Sequence, residues 1–418
     1  MQHASDMCGL PHTEDITGRI KAKGVSLRFG QVETLKAIER QPEKHGYIAV
    51  LPTGYGKSIT ALLSYDLLRA MCRVDRMLII VPTDTQRTQY IQDVMDDCDL
   101  CGMELTGIDK ADGSARNIRK RNKNLAEVFV TTAQFLIHNT DHFEDLLEKG
   151  RWLVVADEFQ KLSEEGEWGK GVKNLQSHAM LGVTATPIRT DGVPTIFGST
   201  EPDVEVTLEE AYKERAIRGV RAHLEHYFVD AKDTETNEVT RITTEELRSH
   251  TDWEGYKKKR DLRELNKYVS SIIGSAYECW LSKSARHQGE HRIIVFAMSV
   301  SHARMVSETI NILYGVGFSD WIGVGPYGRT DSENKLAIDK FKAGAYPCLV
   351  QVDKAGEGFN CKQASVLVFL NILGKNTVKA RQYIGRGLRR NGGIASFEDD
   401  LCDVFVSPDT DLAELAVE

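Results

Sequence analysis

Short apolar runs alternate with amphipathic stretches through the first half of the chain. The runs YIAVL (47–51), MLIIVP (77–82), VFVTT (128–132), WLVVAD (152–157) and MLGVTAT (180–186) have the continuous apolar character of strands buried on both faces of a parallel sheet. The stretches between them, such as SITALLSYDLLRAM (58–71), carry apolar residues at helical spacing. Residues 201–260 change character, from EPDVEVTLEEAYKERAIRG to a charged segment ending YKKKR, and are expected to be a linker with connecting helices. The alternation then restarts with RIIVFAM (292–298), CLVQVD (348–353), SVLVFLN (365–371) and CDVFV (402–406). This pattern predicts two α/β domains in tandem, with a cleft between them as the natural ligand site.

Composition narrows the class. A chain of 418 residues exceeds one ordinary core, and 41% hydrophobic with 27% charged residues fits a soluble globular protein. No apolar run approaches membrane-spanning length, and the N-terminal MQHASDMCGLPHTED lacks the layout of a secretory signal. A cytoplasmic location, with no membrane partner, is therefore expected. The net charge of −8 argues against coating nucleic acid over the whole surface, but leaves room for a basic groove on an acidic body. The eight cysteines are scattered, as suits a reducing compartment. Cys98 and Cys101 form one CxxC without a second pair at zinc-finger spacing, so a reduced pair on a helix and its exit is preferred over zinc.

Two elements carry chemistry. LPTGYGKS (51–58) follows a predicted strand and opens a predicted helix. Backbone N–H groups of such a loop, with the helix dipole, hold anionic phosphates. Lys57 is placed to reach β- and γ-phosphates, and the Ser58 hydroxyl to bind Mg²⁺. The strict pattern wants glycine where Leu51 stands. WLVVADEFQ (152–160) ends a buried strand in two carboxylates. There Asp157 would hold Mg²⁺ through water, and Glu158 would orient and deprotonate an attacking water.

With these elements the chain resembles the superfamily 2 helicases and translocases over residues 25–408. That family often has an apolar residue at the Leu51 position, so the departure is a family habit. Its DExx motif is matched by Asp157-Glu158-Phe159-Gln160 and its third motif by Thr184-Ala185-Thr186. LRFGQ (27–31) resembles the adenine-recognising element, with Gln31 on the base edge and Arg28 beside it. VPTDTQRTQ (81–89), VTTAQF (130–135), IIVFAMSVSHA (293–303), DKAGEGFNC (353–361) and QYIGRGLRR (382–390) resemble motifs Ia, Ib, IV, V and VI.

The resemblance implies an α/β fold of two tandem RecA-like parallel-sheet domains with an interdomain ATP cleft. Residues 1–200 would form the first domain, 201–260 the linker and connecting helices, and 261–418 the second. It implies ATP and Mg²⁺ as cofactors. Arg28, Gln31, Pro52, Thr53, Gly54, Tyr55, Gly56, Lys57, Ser58, Ile59, Gly356, Gly358 and Asn360 would bind ATP. Lys57, Asp157, Glu158, Gln382, Arg386 and Arg389 would be catalytic, with Arg390 the solvent residue of its run. Gln160, Thr184 and Thr186 would couple hydrolysis to movement. Pro82, Thr83, Gln86, Arg87, Thr131, Thr132, Gln134, Met298 and Ser299 would contact nucleic acid. Gln160 departs from the Asp or His of the DEAD and DEAH boxes, and Asn360 stands where EGFD motifs carry aspartate.

The implied partner is nucleic acid. The EGF element, ATPxRxDG (185–192) and QxxGRGLRR look most like the bacterial and phage DNA-directed branch, which includes branch-migration helicases and restriction-enzyme motor subunits. DNA is thus favoured over RNA, with a role in replication or recombination, no protein partner identified and a monomer as the default. An RNA-dependent ATPase and an ATP-switched clamp that does not move share the same motifs. The basic runs DKADGSARNIRKRNK (109–123) and YKKKR (256–260) are candidates for phosphate contact, although such runs are more often solvated faces.

Overall fold

A computed structural model describes residues 10–101, 103, 105, 108–110, 126–162, 165–186, 196–197, 201–232, 237, 239–250, 253–352, 361–372 and 377–410. The chain divides into two compact units, Met1–Ala216 and Ile217–Glu418.

The first unit is built on seven strands: β1 (Gly46–Val50), β2 (Arg76–Val81), β3 (Ile108–Lys110), β4 (Val128–Thr132), β5 (Trp152–Asp157), β6 (Ala179–Thr184) and β7 (Val204–Glu205). Their order is β3-β4-β2-β5-β6-β1-β7, with every neighbouring pair parallel. Parallel neighbours need crossovers, and the intervening helices supply them. That is why the central strands are apolar throughout. Every residue of β4, β5 and β6 is buried. One face packs Ile48, Val50, Leu78, Ile80, Trp152 and Val154 into a single core, each such burial contributing about 1.5–3 kcal/mol. The helix Lys57–Ala70 is buried at every position from Ile59 to Leu68.

The second unit repeats the plan with six parallel strands. They are β8 (Val220–Leu224), β11 (Arg292–Phe296), β12 (Ser319–Ile322), β13 (Cys348–Gln351), β14 (Ala364–Phe369) and β15 (Cys402–Val406), in the order β12-β13-β11-β14-β15-β8. An antiparallel hairpin, β9 (Phe228–Lys232) and β10 (Val239–Thr243), lies between β8 and the helices that lead to β11.

Two differences from the sequence reading have physical causes. The segment 201–260 is divided between the units: β7 pairs with β1, and β8 pairs with β15. These are edge strands, and VRAHL is mostly half-buried or exposed, so it lacks the apolar continuity of a central strand. The central strands also end earlier than their apolar runs. Leu51, Pro82, Ala185 and Val352 have left the strands and enter the loops at their carboxyl ends.

Candidate nucleotide site and its relatives

The loop after β1 is shaped by two left-handed glycines, Gly54 at φ 86° and Gly56 at φ 93°. Gly56 caps the helix Lys57–Ala70, and a side chain there would meet Gln31 Nε2 at 2.8 Å and Ile59 Cγ2 at 2.9 Å. Leu51 is fully buried and its N–H donates to Thr184 O at 2.8 Å, so the position that departs from the strict motif belongs to the core. Ile59 is buried as well.

The element at 27–31 is bound to this loop. Arg28 Nη1 donates to Gly54 O at 2.8 Å, and the guanidinium lies 5.4 Å from the centre of the Tyr55 ring. Gln31 Oε1 accepts from Arg28 N at 2.9 Å, while its Nε2 faces the carbonyls of Tyr55 and Gly56 at 3.5 Å. Tyr55 is fully buried. Its Oη accepts from Gly30 N at 2.9 Å and donates to Glu214 Oε2 at 2.5 Å. Glu214 also accepts from Phe29 N at 2.5 Å, so one carboxylate ties both elements together. Burial, then the bond to Glu214, pushes the Tyr55 phenol well up. The sequence reading missed Glu214, because nothing local marks a carboxylate 159 positions away.

At the end of β5, Glu158 takes a left-handed conformation (φ 53°, ψ 45°), rare for a residue with a side chain and costing of order 1–3 kcal/mol. Its N–H donates to Val183 O at 2.9 Å, which helps hold the turn. The turn brings Glu158 Oε1 to 2.9 Å from Lys57 Nζ, each side chain only 15% exposed. Burial would raise the Glu158 carboxyl, but Lys57 and the Gln160 amide outweigh it and hold it low. Asp157 goes the other way: burial raises it, Lys57 offsets part of the rise, and Glu158 adds to it. Asp157 Oδ1 is buried with no hydrogen-bond partner.

Ser58 Oγ donates to Asp97 Oδ2 at 2.9 Å. Asp97, on the helix Asp84–Cys101, is a second residue the sequence reading missed. The buried Tyr90 phenol is pushed up by burial and then by the charges of Asp157, Asp93, Asp97 and Glu158. The unpartnered Asp157 oxygen and the Ser58 hydroxyl are hard oxygen donors, the kind that fits Mg²⁺.

Gln160 links the acidic turn to the residues after β6. Its Nε2 donates to Glu158 Oε2 at 2.6 Å and to Thr186 Oγ1 at 3.3 Å. Thr184 Oγ1 donates to Gln160 Oε1 at 2.6 Å and accepts from Thr186 N at 3.0 Å. All three expected coupling residues therefore lie in one buried network with the candidate base.

The expected polymer contacts are less uniform. Pro82 and Thr83 leave β2, and Thr83 Oγ1 accepts from Gln86 N at 3.3 Å. Arg87 pairs with Asp84 at 3.1 Å. Thr131 is fully buried in β4, and Thr132 is a buried helix cap accepting from Phe135 N at 3.2 Å. Their side chains therefore cannot meet a polymer, which corrects that expectation. Gln134 is exposed. Cys98 and Cys101 are both buried and lie within the helix Asp84–Cys101.

In the second unit, Met298 N donates to His302 Nδ1 at 3.1 Å, and exposed Ser299 caps the helix Val300–Tyr314. Gly356, Gly358 and Asn360 lie outside the described residues. So does most of the basic run 109–123. YKKKR lies on the helix Trp253–Glu264, with Lys257, Lys258 and Arg260 exposed and Lys259 buried. Gln382 and Tyr383 sit on the helix Thr377–Ile384, and the Tyr383 ring stacks on Phe296 at 4.6 Å. The following turn, which carries Arg386 and Arg389, is held from behind. Arg218, fully buried, donates to the carbonyls of Gly387 (3.1 Å) and Ala364 (2.7 Å) and pairs with Asp400 at 2.5 Å. Arg390 is half-buried and pairs with the same Asp400 at 2.9 Å, so it is a structural residue and not the solvent residue expected.

A glycine loop between a parallel strand and a helix, facing an acidic strand end, defines a P-loop nucleotide-binding unit, here followed by a second unit of the same sheet plan. Residues 24–189 match the family model of the res subunit of type III restriction enzymes, and residues 275–391 match the helicase conserved C-terminal domain. The chain is 21% identical to Rad25 of Halobacterium salinarum, named as a DNA 3'-5' helicase, over 84% of this chain and 51% of that protein. It is also similar in fold to the DUF1998 helicase MrfA, bound to DNA and AMPPNP (TM-score 0.61, 16% identity, 97% of this chain and 51% of that one). Helicase Lhr of Mycobacterium smegmatis, bound to ssDNA and AMP-PNP, gives a TM-score of 0.58 at 14% identity, over 96% of this chain and 48% of that one. The chain spans about half the length of each. It belongs to superfamily 2, the helicases and translocases with two RecA-like domains.

Among the described residues, no helix is long and apolar enough to cross a membrane.

Proposed function

We propose that the protein is an ATP-dependent DNA motor that couples hydrolysis at the 51–58 loop to movement along a nucleic-acid backbone. The observation that carries this reading is the Gln160 bridge, which ties the candidate base Glu158 to Thr184 and Thr186. A site built only to hold nucleotide has no use for a buried polar link from its water-activating residue to a neighbouring strand end.

The residues act as follows. Arg28 and Gln31, clamped on the loop, receive the base, and the glycine turn offers its N–H groups to the phosphates. Incoming β/γ-phosphate charge competes with Glu158 for Lys57. As the ammonium turns to phosphate, Glu158 loses its counter-charge and becomes available to take a proton from water. Ser58 and Asp157 would hold Mg²⁺, which when bound neutralises charge on the phosphates. Gln160 senses the change at Glu158 and passes it to the loop after β6. Hydrolysis also requires Arg386 and Arg389, whose planar guanidinium groups suit charge developing on a transferred phosphoryl group.

DNA is the polymer favoured by the motif pattern and by the named activity of the halobacterial relative. A role in replication or recombination, in a bacterial or phage-infected cytoplasm, follows from the same family pattern. ATPase assays across single-stranded, duplex and forked DNA and RNA test the reading. DNA should stimulate most. Equal or greater stimulation by RNA would make the protein an RNA-dependent ATPase, and strong DNA stimulation with displacement of neither an annealed nor a triplex strand would make it a clamp.

A further inference from the structure

In the second unit, away from every residue assigned above, three donor atoms of different chemistry converge. His223 lies on β8, Asp403 on the adjacent β15 and Cys279 on the helix Asn266–Arg286. One ligand atom from each lies within 4.8 Å of the others. We propose that this corner is a transition-metal site whose ion is Zn²⁺, bound by the His223 imidazole, the Cys279 thiolate and the Asp403 carboxylate.

The surroundings are those of a metal site. Asp403 is 1% exposed, and its two oxygens have separate roles. Oδ2 accepts from Lys283 Nζ at 2.5 Å, which fixes the carboxylate from behind. Oδ1 faces His223 Nε2 at 2.8 Å, inside the corner. The ring of His223 stacks on Phe405 with centroids 4.3 Å apart and planes 5° from parallel, so its orientation is set before any ion arrives. Fixed carboxylate and imidazole orientations are what outer contacts provide in metal sites. Arg221 Nε approaches Oδ1 at 3.4 Å, but its side chain is 57% exposed and can swing into solvent.

Access is open. The three residues line a cavity of about 260 Å³, whose wall includes His287, Arg286 and Asp399. Three protein ligands therefore leave a fourth position for water, entered from the cavity. Zinc bonds of ~2.0–2.3 Å in a tetrahedron place ligand atoms roughly 3.3–3.7 Å apart, so modest side-chain rotation suffices. A thiolate and a carboxylate match the charge of a divalent ion, and Lys283 leaves the site with one positive charge. The sulfur and imidazole donors select a borderline-soft metal over Mg²⁺ or Ca²⁺. Such an ion would pin the edge strand β8 to β15 and to the helix that covers them.

The full chain, freed of metal by a chelator, is titrated with Co²⁺ as a spectroscopic stand-in. The expected result is one equivalent bound with a thiolate-to-cobalt charge-transfer band that Zn²⁺ abolishes. Cys279→Ser should remove the band and weaken binding by roughly tenfold or more. His223→Gln, which keeps the cysteine, should weaken binding similarly and guards against a folding defect in the first variant. A Cys98→Ser/Cys101→Ser double variant should bind as wild type. Absence of the band in the wild-type chain, its survival in Cys279→Ser, or its loss in the Cys98/Cys101 variant would each overturn the proposal.

Discussion

Gln160 Nε2 donates to Glu158 Oε2 at 2.6 Å, on the same carboxylate whose other oxygen holds Lys57. The amide thus reads the state of the candidate base directly. Gln160→Ala should lower strand displacement per ATP hydrolysed more than it lowers hydrolysis itself. Gln160→Glu sets a like charge against Glu158, and its ATPase should fall at least about tenfold, a barrier change of about 1.4 kcal/mol. Parallel ATPase and displacement measurements check this. Equal losses of both in Gln160→Ala would confine the residue to chemistry.

Lys57 and Glu158 neutralise one another, yet their removal should have different consequences. Lys57→Ala leaves phosphate charge uncompensated, so nucleotide binding and nearly all stimulated ATPase should be lost while the circular dichroism stays native. Glu158→Gln keeps the shape and removes the base. It should bind ATP normally and turn over ~10²–10⁴-fold more slowly. A fluorescent-nucleotide titration beside the ATPase assay separates the two. Wild-type turnover in Lys57→Ala would sink the P-loop assignment.

The three arginines of the GRGLRR turn should separate by role. Arg386→Ala and Arg389→Ala are expected to reduce hydrolysis by ~10³–10⁵-fold with nucleotide affinity largely kept. Arg390→Ala removes a pairing with buried Asp400 and should lower the melting temperature of the chain instead, with ATPase per folded molecule unchanged. Near-normal hydrolysis in both of the first two variants would mean that they take no part in the reaction.

What was legible in the chain depended on how locally each feature is encoded. Central strands were readable because double-sided burial forces apolar continuity, as in WLVVAD. The phosphate loop was readable because its backbone demands glycine at 54 and 56. β8 was not, since a half-exposed edge strand has no such pattern. Tyr55–Glu214 and Ser58–Asp97 were not, since each joins residues far apart in sequence by one hydrogen bond. Thr131 and Thr132 matched a motif by letter, but in a fully buried strand their side chains face the interior.

The second unit should be acid-sensitive through Asp409. Its carboxylate and the Arg263 guanidinium are both fully buried and doubly bonded at 2.8 and 2.9 Å. Burial alone would raise the carboxyl, but Arg263 outweighs it and holds it below the usual range. A depressed carboxyl contributes stability above its unfolded value of about 3.9, and that contribution is lost as pH falls through the lower folded value. Asp409→Asn strands a buried guanidinium and should cost about 3–5 kcal/mol at neutral pH. The difference from wild type should shrink under acid. Denaturant unfolding from neutral pH downward checks it, and a pH-independent difference would assign the loss to packing.

Polymer binding is where the acidic body and the proposed motor meet. With a net charge of −8, the protein as a whole repels a phosphate backbone, so any grip must come from local positive charge and N–H groups. Phosphate contacts of that kind release counterions, and affinity should fall steeply with salt. They carry no base information, so affinity should be nearly independent of sequence. Exposed Gln134 and Ser299 remain available to such contacts, whereas Thr131 and Thr132 do not. Gln134→Ala should therefore weaken DNA binding, while Thr131→Ala should act through stability alone. DNA should stimulate the ATPase more than RNA of the same length and sequence. ATP-dependent displacement of an annealed or triplex strand should appear in the wild-type chain and vanish in Glu158→Gln. Salt-insensitive binding would show that the grip is not electrostatic, and equal stimulation by RNA would move the protein to the RNA-dependent class.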